Sequence, residues 1–245
     1  AVDSVTTMNR MFYGASAFDQ DLGWCLDVTE FNGALSGAAC ESTACGIVGG
    51  VDCDVTGDGN VMVNWKIRWA VAAWLSDAAA AEAAYGHIST WETGGVTDMM
   101  FLFCGHQDQG KIDGHEIDGD EFPYDCNTAA ASFNEDIGAW DTSGVTTMYC
   151  MFCDAYAFNR DIGGWVVHSV TDMGHMFYGA SSFNQTLSDW RVDQVTNMNY
   201  MFIFAKSFDQ DLGWCVDDDV DLGSLWWETP CEATSCGVVQ VVGGC

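Results

Sequence analysis

Basic side chains are scarce in this 245-residue chain: seven Lys and Arg stand against 36 Asp and Glu, for a formal net charge of -29. With so little to neutralise phosphates, nucleic acid is a poor partner, and an anionic membrane surface is disfavoured for the same reason. Long apolar runs are also missing. No stretch of about 18 apolar residues is present to span a membrane. Catalytic signatures are absent as well: there is no GxSxG, HExxH, Walker loop or Gly-rich dinucleotide turn, and His87, His106, His115, His168 and His175 are scattered. No initiator Met and no basic-then-apolar leader opens the sequence, so it reads as a mature chain or a piece of a longer one. An acidic surface fits solubility, with calcium or basic groups as the partners its charge favours.

The chain is rich instead in repetition and in cysteine. VTTMYCMFCDAYAFNRDIGGWVVHS, starting at Val145, is followed 25 residues later by VTDMGHMFYGASSFNQTLSDWRVDQ from Val170, and a third copy starts at Val195. Further copies start at Val5 and, interrupted, at Val96. A period in this range is the signature of a solenoid, in which each unit buries its apolar face against its neighbours. A longer repeat encloses the short one. Val5 to Cys25 aligns with Val195 to Cys215 at an offset of 190 residues, and Cys40-Glu41-Ser42-Thr43-Ala44-Cys45-Gly46 returns as Cys231-Glu232-Ala233-Thr234-Ser235-Cys236-Gly237. The sequence therefore reads as one full module preceded by the tail of another.

Within each unit Met148, Met151, Phe152 and Ala155 fall at i, i+3, i+4 and i+7, one face of a helix. Met173, Met176, Phe177, Ala180 and Met198, Met201, Phe202, Ala205 repeat the set. A second pattern, Ile162, Trp165, Val167, Val170, recurs at Ile137 and Leu187 and fits Ile88, Trp91, Thr93 and Val96. It reads like the LxxLxL strand of a leucine-rich repeat. The expected fold is thus an α/β solenoid, leucine-rich-repeat-like, with a short parallel strand around each Trp and a short helix around each Met-Met-Phe. The Met and aromatic columns are core. Thr6, Thr97, Thr146, Thr171 and Thr196 would N-cap those helices, and the Asn and Asp pairs at 134/136, 159/161 and 209/211 would cap turns.

The domain reading follows. Residues 1–53 hold the last rung and Cys-rich cap of a preceding module, 54–63 a linker, and 64–87 an N-capping helix offering Ile67, Val71, Trp74 and Leu75. Residues 88–219 hold the rungs, with an inserted loop at about 105–129, and 220–245 form a Cys-rich C-cap. The linker run Asp54-Val55-Thr56-Gly57-Asp58-Gly59-Asn60 is similar to the start of an EF-hand or dockerin loop, making Asp54, Thr56, Asp58 and Asn60 candidate calcium ligands. The place that carries a bidentate acid in such loops is Trp65, and turn formation is the competing account of the same residues.

Twelve cysteines with recurring spacing indicate an oxidising, extracellular or cell-surface location. Cys25, Cys40, Cys45 and Cys53 form one tail set, and Cys215, Cys231, Cys236 and Cys245 the other, each expected to carry two bridges of open connectivity. Zinc is the alternative, disfavoured because neither tail holds a close CxxC pair or a partnering His. Cys126, at the end of the insertion, would pair with Cys104 or Cys150, and Cys153 with whichever remains. Asn184-Gln185-Thr186 is a glycosylation sequon. Glu92, Asp141, Val166 and Arg191, each following a rung Trp, form the candidate binding surface.

With VTDMxxMF, the FNQDI-like stretch and the Trp segment in view, the rungs resemble the BspA-like leucine-rich surface proteins, including mycoplasma lipoprotein-type repeats. Val170 to Gln185 carries the resemblance most closely, and it covers about half of the chain. It implies a non-enzymatic surface protein used in adhesion or protein interaction. Two readings result: a structural or adhesive array of modules binding other copies of itself, in a fibre, filament or surface layer, or a discrete module recognising cell-surface proteins or glycans. A calcium-loaded Asp54 loop would raise the melting temperature in calcium relative to chelator, as any ligand specific to the folded state does; superimposable melts would remove calcium from the picture.

Overall fold

The computed structural model describes residues 10–17, 25–26, 35–36, 48–49, 59–106, 111–112, 115–116 and 126–243. Two compact units are distinguished, residues 1–58 with 110–124 and residues 59–109 with 125–245.

In the first unit, β1 (Cys25–Leu26) pairs in parallel with β2 (Val48–Gly49). Residues 10–16 form tight turns in which Tyr13 N–H reaches Arg10 O at 3.2 Å and Gly14 N–H reaches Ser36 O at 2.6 Å.

The second unit starts with β3 (Val61–Val63), a strand inside the stretch expected to be linker, paired in parallel with β4 (Glu92–Gly95). Between them the expected single capping helix is two. Helix α1 (Asn64–Ser76) buries Ile67, Ala70, Val71 and Trp74, while Leu75 is half-buried. Asp77 then leaves helical geometry at φ -152 and ψ 95, and its carboxylate accepts the N–H groups of Ala79 and Ala80 at 3.1 Å each. A short acid competes for backbone donors and starts a new helix where it sits, so α2 (Ala78–Tyr85) begins there.

The rungs that follow are built from turns, and this corrects the expected strand-plus-helix unit. No helix lies at Met148–Ala155 or its equivalents, and no strand surrounds Trp140, Trp165 or Trp190. Alternate N–H groups instead cross to the next rung: Met148 to Asp172 O at 2.9 Å, Cys150 to Gly174 O at 2.9 Å, Phe152 to Met176 O at 2.9 Å and Asp154 to Tyr178 O at 2.7 Å. The next rung repeats this, with Met173, His175, Phe177 and Gly179 donating to Asn197, Asn199, Met201 and Ile203. Intervening donors close tight turns, such as Met151 to Met148 O at 3.1 Å and Ala155 to Phe152 O at 3.1 Å. Left-handed residues recur at fixed places: Phe101, Cys150, His175 and Tyr200 at φ 57, 52, 58 and 57, then Asp154, Gly179 and Phe204 at φ 53, 69 and 59. Parallel bridges run along Asp98, Thr147, Asp172, Asn197 and Asp221. Inward positions of two consecutive turns have the same i, i+3, i+4, i+7 spacing as a helix face. A helix of so few residues is marginal by itself, whereas neighbouring rungs offer the backbone a partner at every second residue.

Inside, the side chains stack in register. Phe103, Phe152, Phe177 and Phe202 lie with successive centroids 5.6, 5.6 and 5.5 Å apart. Phe133, Phe158, Phe183 and Phe208 form a second stack at 6.0, 5.9 and 5.9 Å. Within a rung the two stacks touch, as in Phe177–Phe183 at 4.1 Å. Trp91, Trp140, Trp165, Trp190 and Trp214 are each 3% exposed and donate Nε1–H to a carbonyl, that of Ile137 at 3.1 Å in the case of Trp165. Each indole thus buries its area without leaving its N–H unsatisfied.

The stack ends at β7 (Cys215–Asp217), paired in parallel with β8 (Val239–Val241), and Trp226 lies 5.1 Å from Phe202 as the last ring. The described residues of the first unit between 10 and 49 repeat the end of the second, at 200–241. Arg10 and Gly14 adopt φ 55 and 69 where Tyr200 and Phe204 adopt φ 57 and 59. Gly14 N–H to Ser36 O has its counterpart in Phe204 N–H to Trp227 O, and β1–β2 has its counterpart in β7–β8.

Among the described cysteines none is free. Cys104 pairs with Cys126, Cys150 with Cys153, and Cys231 with Cys236, and Cys215 is also disulfide-bonded. Cys40, Cys45, Cys53 and Cys245 lie outside the described residues. In the insertion, β5 (Lys111–Ile112) and β6 (His115–Glu116) pair antiparallel.

Phe177 is fully buried between two like rings and beside Phe183. Phe177→Ala is expected to cost about 3–5 kcal/mol by emptying that place, read as a large drop in the denaturation midpoint. Tyr156→Ala, at an aromatic that is exposed, is expected to leave the midpoint nearly unchanged, and equal losses at Phe177 and Tyr156 would contradict this account.

Candidate binding face

The residue after each rung Trp faces solvent because the Trp and the residue after next both point inward. Thr93 and Thr142 are buried, and their hydroxyls donate to Asp141 O at 2.9 Å and Val166 O at 3.0 Å on the following rung. Glu92, Asp141, Val166 and Arg191 are consequently exposed on successive rungs, with Val166 at 44%. The residues two further on join the same face. Ser143 donates to Asp141 through its hydroxyl and its backbone N–H, holding that carboxyl below the usual carboxylate range. Arg191 Nη2 lies 2.9 Å from Asp193 Oδ2, both exposed. A shallow depression of about 470 Å³ is lined by His168, Ser169, Thr171, Arg191, Asp193 and Gln194. Such a surface offers hydroxyls, an imidazole, a guanidinium and carboxylates to a polar partner, with no deep enclosure around any of them.

Two columns of short polar side chains border the rungs and hold the backbone. Asp98, Thr147, Asp172, Asn197 and Asp221 each accept the N–H two residues on, at 2.9, 3.4, 2.9, 3.0 and 2.9 Å. The Asn column works between rungs: Asn134, Asn159 and Asn184 accept the N–H groups of Asn159, Asn184 and Asp209 at 2.9, 2.9 and 3.0 Å. Asp136, Asp161 and Asp211 cap the turns at Gly138, Gly163 and Gly213. Asn184, the sequon residue, is half-buried in this column, and its Oδ1 also accepts from Gln210 at 2.8 Å. The Thr column is corrected in role. Thr146, Thr171 and Thr196 donate their hydroxyls to the carbonyl of the preceding column Thr at 3.1, 3.2 and 3.2 Å, since there is no helix for them to cap. Asn64 closes the column at its start by accepting the N–H groups of Thr97 and Asp98.

Of the four candidate calcium ligands, Asp54, Thr56 and Asp58 lie outside the described residues. Asn60 serves the β3–β4 junction, its amide donating to Thr90 O at 3.0 Å and Glu92 Oε1 at 3.4 Å.

A family model described as "Mycoplasma protein of unknown function, DUF285" matches residues 1–40 and 125–217, more than half of the chain. The chain belongs to this family. No curated protein and no solved structure matches it. The DUF285 match takes in the uninterrupted rungs and the part of the first unit that copies them, and leaves out the helices α1 and α2, most of the insertion and the last 28 residues.

Two groupings in this DUF285 chain had no periodic signal to announce them. His106 Nδ1 meets Asp154 Oδ2, joining the start of the insertion to a buried acid of the next rung. Gly179 stands in the place of Asp154 one rung on, where a Cβ would collide with Asp154 Oδ1. Burial first, then the Asp154 charge and hydrogen bond, push the Tyr156 phenol up. The other grouping is that of Cys104, Cys150 and Cys153, whose sulfurs lie within 4.8 Å of one another.

Burial raises the Asp172 carboxyl above its usual range, against the lowering effect of Gly174 N–H and Asn197. The folded chain therefore holds the proton more tightly than the unfolded chain. The stabilisation from this group is complete below the unfolded pKa and is lost as pH rises through the folded one. Asp172→Asn keeps an acceptor for both donors and removes the buried charge, as Asn197 does one rung on. It is expected to raise the melting temperature at neutral pH, with the gain shrinking as pH falls through the carboxylate range; a gain independent of pH would refute the burial account.

Proposed function

We propose that the chain is part of an extracellular structural or adhesive protein, made of tandem capped solenoid modules and contributing to a fibre, filament or cell-surface layer. The observation that carries this reading is the recurrence of a whole module tail. Left-handed residues, cross-rung bonds and the terminal parallel pair at 10–49 return at 200–241. A chain that repeats its closing structure as well as its rungs repeats a complete building block. Paired cysteines support an oxidising location. The BspA-like resemblance of the rungs supports a surface role, with other copies of the protein, or cell-surface proteins and glycans, as partners.

A discrete recognition module is the second reading, favoured by the exposed row of Glu92, Asp141, Val166 and Arg191 and the depression at its end. Its open, polar form fits a macromolecular surface or glycan better than an enclosed small molecule. Negative-stain electron microscopy of the native protein separates the two. Filaments or sheets with a regular axial repeat are expected; isolated particles at every concentration tested would overturn the assembly reading and leave recognition.

A further inference from the structure

Four cysteines from three separate segments converge where the insertion leaves and rejoins the rungs. Cys104 precedes the insertion, Cys126 ends it, and Cys150 and Cys153 sit on the following rung. They form two disulfides, Cys104–Cys126 and Cys150–Cys153. Cys150 Sγ and Cys104 Sγ, which belong to different bridges, are 3.9 Å apart. Burial divides the set: Cys104, Cys150 and Cys153 are 1%, 0% and 0% exposed, whereas Cys126 is only half-buried. Cys126 is thus the one residue of the four that solvent touches to more than a trace. The sulfur that attack there by an external thiol would free lies 3.9 Å from Cys150 Sγ but to the side of the Cys150–Cys153 bond, within 4.8 Å of Cys153 Sγ as well. Once released it must swing into line with that bond to displace Cys153.

We propose that these four residues form a thiol-responsive disulfide relay, with Cys126 as the site of modification by a low-molecular-weight thiol. A thiolate RS⁻ attacks Cys126 Sγ, forming an RS–Sγ bond to Cys126 as the Cys104–Cys126 bond breaks, and the electron pair leaves on Cys104. The Cys104 thiolate attacks Cys150 Sγ, forming Cys104–Cys150 as Cys150–Cys153 breaks, and the electron pair leaves on Cys153. Cys153 takes up the proton that the external thiol gave up. Its sulfur is 3.2 Å from His175 O, so the new S–H finds an acceptor in place. Two disulfides enter and two leave, one of them mixed, so no oxidant or reductant beyond the thiol is consumed. Exchange through a mixed disulfide is governed by which sulfur is accessible and by where the leaving thiolate sits, and both conditions are set here by burial. The consequence is a change in what is tied to what. The end of the insertion is released from Cys104, and the first of these rungs becomes covalently joined to the next.

This exchange goes beyond the structural and adhesive reading and holds for a single module in solution. Native protein treated with reduced glutathione, then quenched with N-ethylmaleimide and digested without reduction, should yield glutathione on Cys126, a Cys104–Cys150 cross-linked peptide and alkylated Cys153. Glutathione on Cys126 with alkylated Cys104 and an intact Cys150–Cys153 bridge would overturn the relay. So would retention of both original bridges at thiol concentrations that leave tryptophan fluorescence native. In Cys126→Ser the leaving thiolate is present from the start, and the Cys104–Cys150 cross-link with alkylated Cys153 should form without added thiol. Alkylated Cys104 beside an intact Cys150–Cys153 bridge in that folded variant would refute the proposal; the wild-type experiment stands whether or not the variant folds.

Discussion

The rungs depend on one constraint: a buried backbone with almost no helix or strand must still pair its N–H and C=O groups. Residues 148–155, 173–180 and 198–205 meet it by sending alternate donors to the neighbouring rung and intervening ones into tight turns, and the segments between them use turns and Asn or Asp side chains. The left-handed conformations at Cys150, His175 and Tyr200 are part of this arrangement. Each costs energy for a residue with a Cβ, and each sits where its N–H donates to the rung beyond, the Cys150 bond being 2.9 Å. The backbone strain and the cross-rung ladder therefore stand together. A lone rung would have neither partners for its donors nor a cover for its Met and Phe side chains, which is why the unit is stable only in a stack.

Register is the next consequence. Backbone bonds between equivalent residues place equivalent side chains over one another, so an aromatic in one rung meets an aromatic in the next. Apolar columns gain from this, and charged columns would lose. Adjacent rungs lie about 5 Å apart, where two like charges repel by about 1 kcal/mol even in water. Along the bridge column the order is Asp98, Thr147, Asp172, Asn197, Asp221, so no two acids are neighbours. In the column beside it Asn134, Asn159 and Asn184 are neutral and only Asp209 is charged. The exposed row after Trp reads Glu92, Asp141, Val166, Arg191, mixing both signs and an apolar residue. In a chain with a net charge of -29 the bridge and Asn columns thus keep acids apart, whereas Asp136 and Asp161, which cap turns on adjacent rungs, stand as exposed neighbours of like charge.

The repeat was legible in the sequence, and so were the inward columns, because burial at fixed spacing is what periodicity records. Trp165, Phe177 and Met201 lie in the core where their columns put them. The rung's backbone was not legible, because the spacing of Met148, Met151, Phe152 and Ala155 is shared by a helix and by two successive turns. A signal against the helix was present all the same: Gly174 and the Asx or Thr residue two places before it in each rung are turn chemistry. The exposure of Glu92, Asp141, Val166 and Arg191 followed from alternation around Trp. The His106–Asp154 contact and the proximity of the two disulfides could not follow from any period, since both arise where the insertion interrupts it.

The interruption is also where the stack has most to hold. An insertion of about 24 residues between Cys104 and Phe133 separates the Val96 rung from the rest of its own turn, and closing so long a loop has an entropic cost that a cross-link at its base lowers. Cys104–Cys126 provides that link, with a Cα separation of 4.7 Å. The backbone then resumes as though nothing had been inserted: Asn127 N–H reaches Cys104 O at 2.8 Å, and Phe133 stacks on Phe103 at 4.0 Å. Because the base of the loop is fixed on both sides by the same ladder and ring stacks as every other rung, an insertion at this point can vary in length without altering the register beyond it. The rung is accordingly the conserved unit of construction within this chain, and the insertion is the place where a second property can be added to it.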